Sequence, residues 1–361
     1  MGRMPSPRYL FGCPLAAAVC LLALLTAMPV ASSAATGRSG ADDPRDRWVP
    51  VARLGGTPYR ARFVMVGFTG LTDAGRVRFR THGRAGWSDW VRAERLPGSR
   101  ASEPVWTGRS DAIRVRAAGV TTGLRVVLLA AEPAAISAGA HRFSPSPPGS
   151  TRRAARPRLR TRRDWGADPR WRSGRPRYNR TVKQVHIHHT ASPNGYRRRD
   201  VAPMIRSFYR YHTRYLGWSD IGYNFLVDRF GRAWVGRAGG AAKPVRGAHT
   251  LGFNHNSVGI AVIGNFQAKA RPRRVVLKSL ARVIAWKLDK YHRHPRRWTW
   301  VWSEGSDRFR RGRRVHLPVI DGHRDTNFTS CPGWRVYRRL PKIREFAQRR
   351  IRRYHRAWRR R

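Results

Sequence analysis

The chain has 361 residues, of which 41% are hydrophobic and 14 are Trp. That is room for about two domains and enough apolar surface for large cores, which excludes wholesale disorder. Against 20 acidic residues stand 74 basic ones, seven Lys and 67 Arg, for a formal net charge of +54. A surface of this kind adheres to polyanions, whether nucleic acid, anionic lipid or the anionic polymers of a cell envelope.

The N-terminus narrows that choice. Arg3 and Arg8 precede an uninterrupted apolar run of 11 residues, Leu15 to Leu25, and small residues follow at Ala31-Ser32-Ser33-Ala34-Ala35. This is the order of a secretory signal peptide, expected over residues 1–35, and the run is short for a membrane span of about 20 residues. No later segment is long and apolar enough to span. The expected product is secreted, which argues against a specific nucleic-acid role. Of three cysteines, Cys13 and Cys20 fall in the signal, so the mature chain keeps only Cys331. A lone thiol in an oxidising compartment forms no internal disulfide and must be buried or bound.

Residues 36–46 are small and polar and read as a linker. From 47 to 134 the pattern is β: Val77 and Phe79 alternate with Arg76, Arg78 and Arg80, and Ile113 and Val115 with Arg114 and Arg116. Short strands with Gly-containing turns predict a small all-β domain, a sandwich or barrel. No residue of this half shows a catalytic pattern. Trp87-Ser88-Asp89-Trp90 fits core packing or a carbohydrate platform. Residues 135–159, rich in Pro, Ser and Arg, read as a flexible linker.

Residues 160–361 alternate strands and helices. Strands are predicted at Val182–His189, Tyr223–Val227, Ala233–Gly236 and Val258–Ile263. One helical face carries Met204, Ile205, Phe208 and Tyr215, with Asp200 placed to cap it. A second runs from Val276 to Tyr291, and a third from Ile343 to Trp358 with Arg on its other faces. Trp298 to Pro318 reads as a hairpin with an Arg-rich tip. The fold class is therefore α/β, a mixed central sheet flanked by helices.

Three features of this domain carry chemistry. Val185-His186-Ile187-His188-His189-Thr190 is a strand on which His186 and His188 share one face and His189 takes the other. Gly322-His323-Arg324-Asp325 and Ser330-Cys331-Pro332-Gly333 follow. Two His and one Cys can ligate zinc and leave a position open for water, although this spacing has no general meaning by itself. HExxH, Walker and GxSxG patterns are absent, and no Glu stands beside these residues in the sequence to act as a base. A Tyr hydroxyl such as that of Tyr223 could orient water or stabilise an oxyanion.

The ordered set of motifs resembles the peptidoglycan recognition proteins and type 2 N-acetylmuramoyl-L-alanine amidases. It runs from Arg163-Asp164-Trp165-Gly166-Ala167 through Ile187-His188-His189-Thr190 and Gly217-Trp218-Ser219-Asp220-Ile221-Gly222-Tyr223-Asn224-Phe225. Gly247-Ala248-His249, Asn254 and Ser257-Val258-Gly259-Ile260 come next, and Gly322-His323-Arg324-Asp325 to Cys331-Pro332-Gly333 closes it. The resemblance covers about residues 160–350. It implies a Zn2+ ion held by His188, His323 and Cys331, with Tyr223 and Thr329 as catalytic residues. It also implies a substrate groove including His249 and Asn254. The expected activity is hydrolysis of the amide between N-acetylmuramic acid and L-alanine, with peptidoglycan, muropeptides and anionic envelope polymers as partners. The alternative is a non-catalytic peptidoglycan-binding recognition protein, although such relatives typically lack the Cys ligand. His186 fits a site-lining or a structural role, and Asp325 a ligand-orienting or a loop-structuring one.

Overall fold

The computed structural model describes residues 44–72, 75–119, 122–132 and 152–360. The predicted signal peptide, most of the first linker and residues 135–151 of the second lie outside the described residues.

The N-terminal half is one antiparallel sheet rather than a sandwich. Its strands are β1 (Arg47–Pro50), β2 (Tyr59–Thr69), β3 (Arg76–Gly83), β4 (Gly86–Trp87), β5 (Val91–Arg92), β6 (Val105–Ala118) and β7 (Arg125–Leu129). They lie in the order β1-β7-β2-β6-β3-β4, with β5 also on β3. Alternation marks the outer part of the sheet, but Phe63 to Phe68 on β2 is buried without interruption. Both faces are covered there. Phe63, Val66 and Phe68 pack with Val77, Phe79, Ile113 and Val126 in the sheet's own core. Val64 and Met65 join Trp106, Val127 and Leu129 in a second core, shared with Trp165, Ile205, Tyr209 and Tyr211 of the C-terminal half. Trp87 and Trp90 are in neither core. They lie half-buried at the surface with guanidinium groups over their rings, Arg80 on both and Arg116 on Trp90.

Polar contacts lock the two halves. The Tyr211 hydroxyl lies 3.2 Å from the carbonyls of both Phe68 and Ser102, and the Trp106 N–H donates to Ser192 Oγ at 3.1 Å. Arg206 pairs with Glu132 at 3.0 Å, and Arg210 with Asp46. Gly67 is required by close approach, since a Cβ there would stand 2.2 Å from the Tyr211 ring. The end of the expected linker also packs. Ala154 and Ala155 are buried, and the Ala154 N–H donates to Asp289 at 2.6 Å. The two small side chains turn inward while the neighbouring Arg152 and Arg153 stay exposed.

The C-terminal sheet contains β8 (Leu159–Arg160), β9 (Gln184–His189), β10 (Phe225–Val227), β11 (Ala233–Val235), β12 (Ser257–Val262) and β15 (Ile320–Gly322), ordered β15-β9-β12-β10-β11-β8. It is mixed: β10 and β11 are antiparallel and the other pairs parallel. Helices α2 (Arg274–Lys290) and α4 (Leu340–Arg359) cover one face through Val185, Ile187, Val258 and Ile260. Helix α1 (Val201–Arg210) packs with Leu226, Ala261 and Ile263 in the core shared with the N-terminal sheet. Asp200 does not cap α1 with its side chain. Its carboxylate accepts the Arg197 N–H at 2.6 Å instead, closing the turn before the helix. A short helix, α3 (Trp334–Tyr337), precedes α4, and strands β13 (Trp298–Trp302) and β14 (Arg314–Pro318) form the expected hairpin. Among the described residues no helix is long and apolar enough to cross a membrane.

Candidate metal centre and cleft

Strand β9 presents Val185 and Ile187 to α2 and α4, so the pleat turns His186 and His188 the other way. There His188 meets His323, which opens the turn after β15, and Cys331 on the following loop. One donor atom from each of these three buried residues lies within 4.8 Å of the others. His188 Nδ1 is 3.7 Å from Cys331 Sγ, and the rings of His188 and His323 are 4.6 Å apart. Zinc–nitrogen and zinc–sulfur bonds of about 2.1 and 2.3 Å at a tetrahedral angle place N and S about 3.6 Å apart, so the observed spacing fits an ion.

The hydrogen bonding points the same way. Both ring nitrogens of His323 are buried without a hydrogen-bond partner among the described residues. Asn327, its polar neighbour, is engaged with Asp307 and Thr250. Burial holds the His188 and His323 rings neutral, His323 down to about 3. Burial and the carboxylates of Glu103 and Glu94 push the Cys331 thiol up. Neutral imidazoles are the ligand form, and a cation at this point would reverse the thiol's preference. The thiol is already placed to accept the His189 N–H at 3.4 Å.

His188 Nε2 lies 3.2 Å from His249 Nδ1. With Nδ1 of His188 facing the thiol, its Nε2–H donates to His249, which fixes the His249 tautomer. The unpartnered His249 Nε2 then carries a proton. Asn254 shapes this loop, its Oδ1 accepting the N–H groups of His249 and Thr250 at 2.8 and 3.1 Å. Both residues line a cleft of about 260 Å³ beside Tyr223, Trp218 and His323. Tyr223, two residues before β10, places its ring 5.4 Å from that of His188. Thr329 is half-buried on the Cys331 loop, where its Oγ1 accepts the Cys331 N–H at 3.2 Å. A hydroxyl accepting there still has its own proton to donate.

The remaining histidines and Asp325 take structural positions. His186 Nδ1 pairs with Asp321 at 2.5 Å, both fully buried. Burial pushes the Asp321 carboxyl up to about 6, against the pull of His186. His189 points to the opposite side, its Nδ1 accepting the Phe266 N–H at 3.3 Å. Asp325 structures its loop by accepting from the Gly322 N–H at 2.8 Å and the Tyr337 hydroxyl at 2.6 Å.

The N-terminal half, in which the sequence shows no catalytic pattern, lines the cleft. Leu96, Pro97, Gly98 and Ser99 form one wall of the cleft, and Glu103 reaches Tyr223, whose hydroxyl donates to Glu103 Oε2 at 3.4 Å. Nearby, the Ser330 hydroxyl donates to Glu94. Two acidic residues flanking a short turn among 20 in the chain carry no local signal of this; the docking of the sheet creates it.

Comparison with known proteins fits the geometry. Residues 178–334 match the family described as N-acetylmuramoyl-L-alanine amidase. Peptidoglycan-recognition protein SC2 of Drosophila simulans is 29% identical over 154 residues, 43% of this chain and 70% of that protein. Human N-acetylmuramoyl-L-alanine amidase is 36% identical over 129 residues, 34% of this chain and 21% of the human protein. A solved structure of Drosophila PGRP-LB aligns with 26% identity over 51% of this chain and 92% of that one, at a TM-score of 0.40. Ordered motifs, a matching family profile over residues 178–334 and curated relatives agree, and together they support the peptidoglycan-recognition and N-acetylmuramoyl-L-alanine amidase family for the C-terminal domain.

Proposed function

We propose that the chain is an exported, zinc-dependent N-acetylmuramoyl-L-alanine amidase acting on peptidoglycan or its muropeptide fragments. The observation that carries this reading is the buried trio of His188, His323 and Cys331, spaced for one ion and lacking other partners for His323. A zinc ion held there supplies Lewis acidity toward the scissile carbonyl and toward water.

The chain's own residues do the rest. Substrate enters the cleft beside His249 and Asn254, with the lactyl carbonyl directed toward Tyr223. As water adds, negative charge develops on the carbonyl oxygen. The Tyr223 hydroxyl and the His249 Nε2–H line the cleft as donors for it, the Thr329 hydroxyl on the Cys331 loop is the third, and such donors are worth most in a water-poor site. Burial pushes the Tyr223 phenol well above its ordinary range, which favours the neutral, proton-donating form. Collapse releases a lactyl carboxylate and the amine of L-alanine. The net charge of +54 holds the enzyme on anionic wall polymers.

The test is mass spectrometry of purified muropeptides incubated with mature protein, with and without chelator. Chelator-sensitive release of stem peptides beginning at L-Ala is the expected result. Intact muropeptides that nonetheless bind a folded, zinc-loaded protein would overturn hydrolysis in favour of recognition without cleavage.

A further inference from the structure

Family resemblance places every catalytic group in the C-terminal domain, yet the N-terminal sheet supplies a carboxylate to the cleft. The segment joining β5 to β6 folds back on itself. The Glu103 N–H donates to the Glu94 carbonyl and the Leu96 N–H to the Ala101 carbonyl, both at 2.8 Å, with Arg95 bridged to Ser102. Glu94 and Glu103 are thus a cross-strand pair, and both side chains engage the C-terminal domain. Glu94 takes the hydroxyl of Ser330, the residue before Cys331, and Glu103 takes the hydroxyl of Tyr223.

We propose that Glu103 is the proton-transfer residue of the amide hydrolysis, provided by the N-terminal sheet to the C-terminal site of the same chain. The proposal rests on the amidase reading above. Three observations carry it. Glu103 lines the same cleft as His323, His249 and Tyr223, and is partly accessible from it. It is not in the mutually close donor set of His188, His323 and Cys331, so it shares the cleft with His323 without being one of the three ligands. It is also held in place. Ser102 is tied to Tyr211 and to Phe68, and Trp106 to Ser192, so the segment moves only if the shared core opens.

The chemistry balances without a further reactant. The water oxygen bonds to the carbonyl carbon while one water proton passes to Glu103. The C–N bond then breaks, and Glu103 returns that proton to the departing nitrogen, leaving a carboxylic acid and an amine. Tyr223 is coupled to this cycle. While Glu103 is ionised it competes for the phenol proton; once protonated, it can donate to the phenol oxygen and leave the Tyr223 O–H for the developing oxyanion.

Glu103→Gln keeps an acceptor for Tyr223 and nearly the same shape, so it removes only proton transfer. Its kcat on muropeptide should fall roughly 10²–10⁴-fold, with zinc content by mass spectrometry of the metal, muropeptide Kd and melting temperature unchanged. Glu103→Ala should regain part of its activity with added formate, a readout that a purely structural role would not move. A Glu103→Gln enzyme as active as the parent, or a Glu103→Ala enzyme more active because a plug has gone, overturns the proposal while leaving the amidase reading intact. A parent protein that binds zinc and muropeptide but releases no peptide overturns both, and the parent control tells the two failures apart.

Discussion

The shared core makes the N-terminal sheet part of the folded body that carries the metal centre, and Met65 tests this. Its side chain is fully buried between β2 and the C-terminal half. Val64, Met65, Trp106, Val127 and Leu129 together bring to that core an apolar contribution on the order of 10 kcal/mol, at about 1.5–3 kcal/mol for each buried side chain. That matches the whole stability of an ordinary domain, about 5–15 kcal/mol, so neither half should survive the loss of the other. Met65→Ala leaves a cavity and costs about 2–5 kcal/mol. At about 2 °C per kcal/mol for a body of this size, the melting temperature falls by about 4–10 °C. Scanning calorimetry of the parent and the variant should each show one transition, displaced as a whole. Two transitions, with only the lower one moved by Met65→Ala, would refute the shared core and detach Glu103 from the site.

Three further outcomes follow from the site. Tyr223→Phe removes one oxyanion donor and should lower kcat by about 10²–10³-fold with zinc content unchanged; its effect combined with Glu103→Gln should be less than multiplicative, since the two share a hydrogen bond. Burial and the Arg237 charge hold the His212 ring down to about 3. Its neutral form therefore contributes fully above pH 6.5, and that contribution is lost as pH falls from 6.5 toward 3. Between pH 7 and 5 this amounts to roughly 2 kcal/mol, so urea midpoints of zinc-loaded His212→Gln should fall less over that interval than those of the parent. Gly259→Ala would put a Cβ 2.2 Å from His249 Cγ; displacement of that ring should cut activity at least about tenfold while β12 remains paired, and full activity would show that His249 is not fixed as described.

Strands β9 to β12 were legible in the sequence because their signals are local, whereas β8 and β15, of 2 and 3 residues, are too short to show a period. Alternation on β9 alone assigns His188 and His189 to opposite faces, and the structure turns them so. The ligand trio was visible as a set of motifs, although only the return of the chain through β15 brings His323 and Cys331 to His188. Asp200 misled because an Asp before a helix and an Asp closing the preceding turn look alike in sequence. The linker ending at residue 159 misled because composition records flexibility but not the fit of Ala154 and Ala155 against α2 and α4. Glu103 was illegible for a deeper reason. Its place in the cleft arises from one sheet docking on another domain, through side chains such as Val64 and Tyr211 that are apolar or aromatic for reasons unrelated to chemistry.

The most direct test of the account is a zinc titration of the metal-free mature protein, read as muropeptide hydrolysis. Activity should rise in proportion to added zinc and level off at one equivalent, with Cys331→Ser and His323→Ala giving neither a bound equivalent nor released peptide. Full hydrolysis by the metal-free protein, or an unchanged titration in Cys331→Ser, would contradict it.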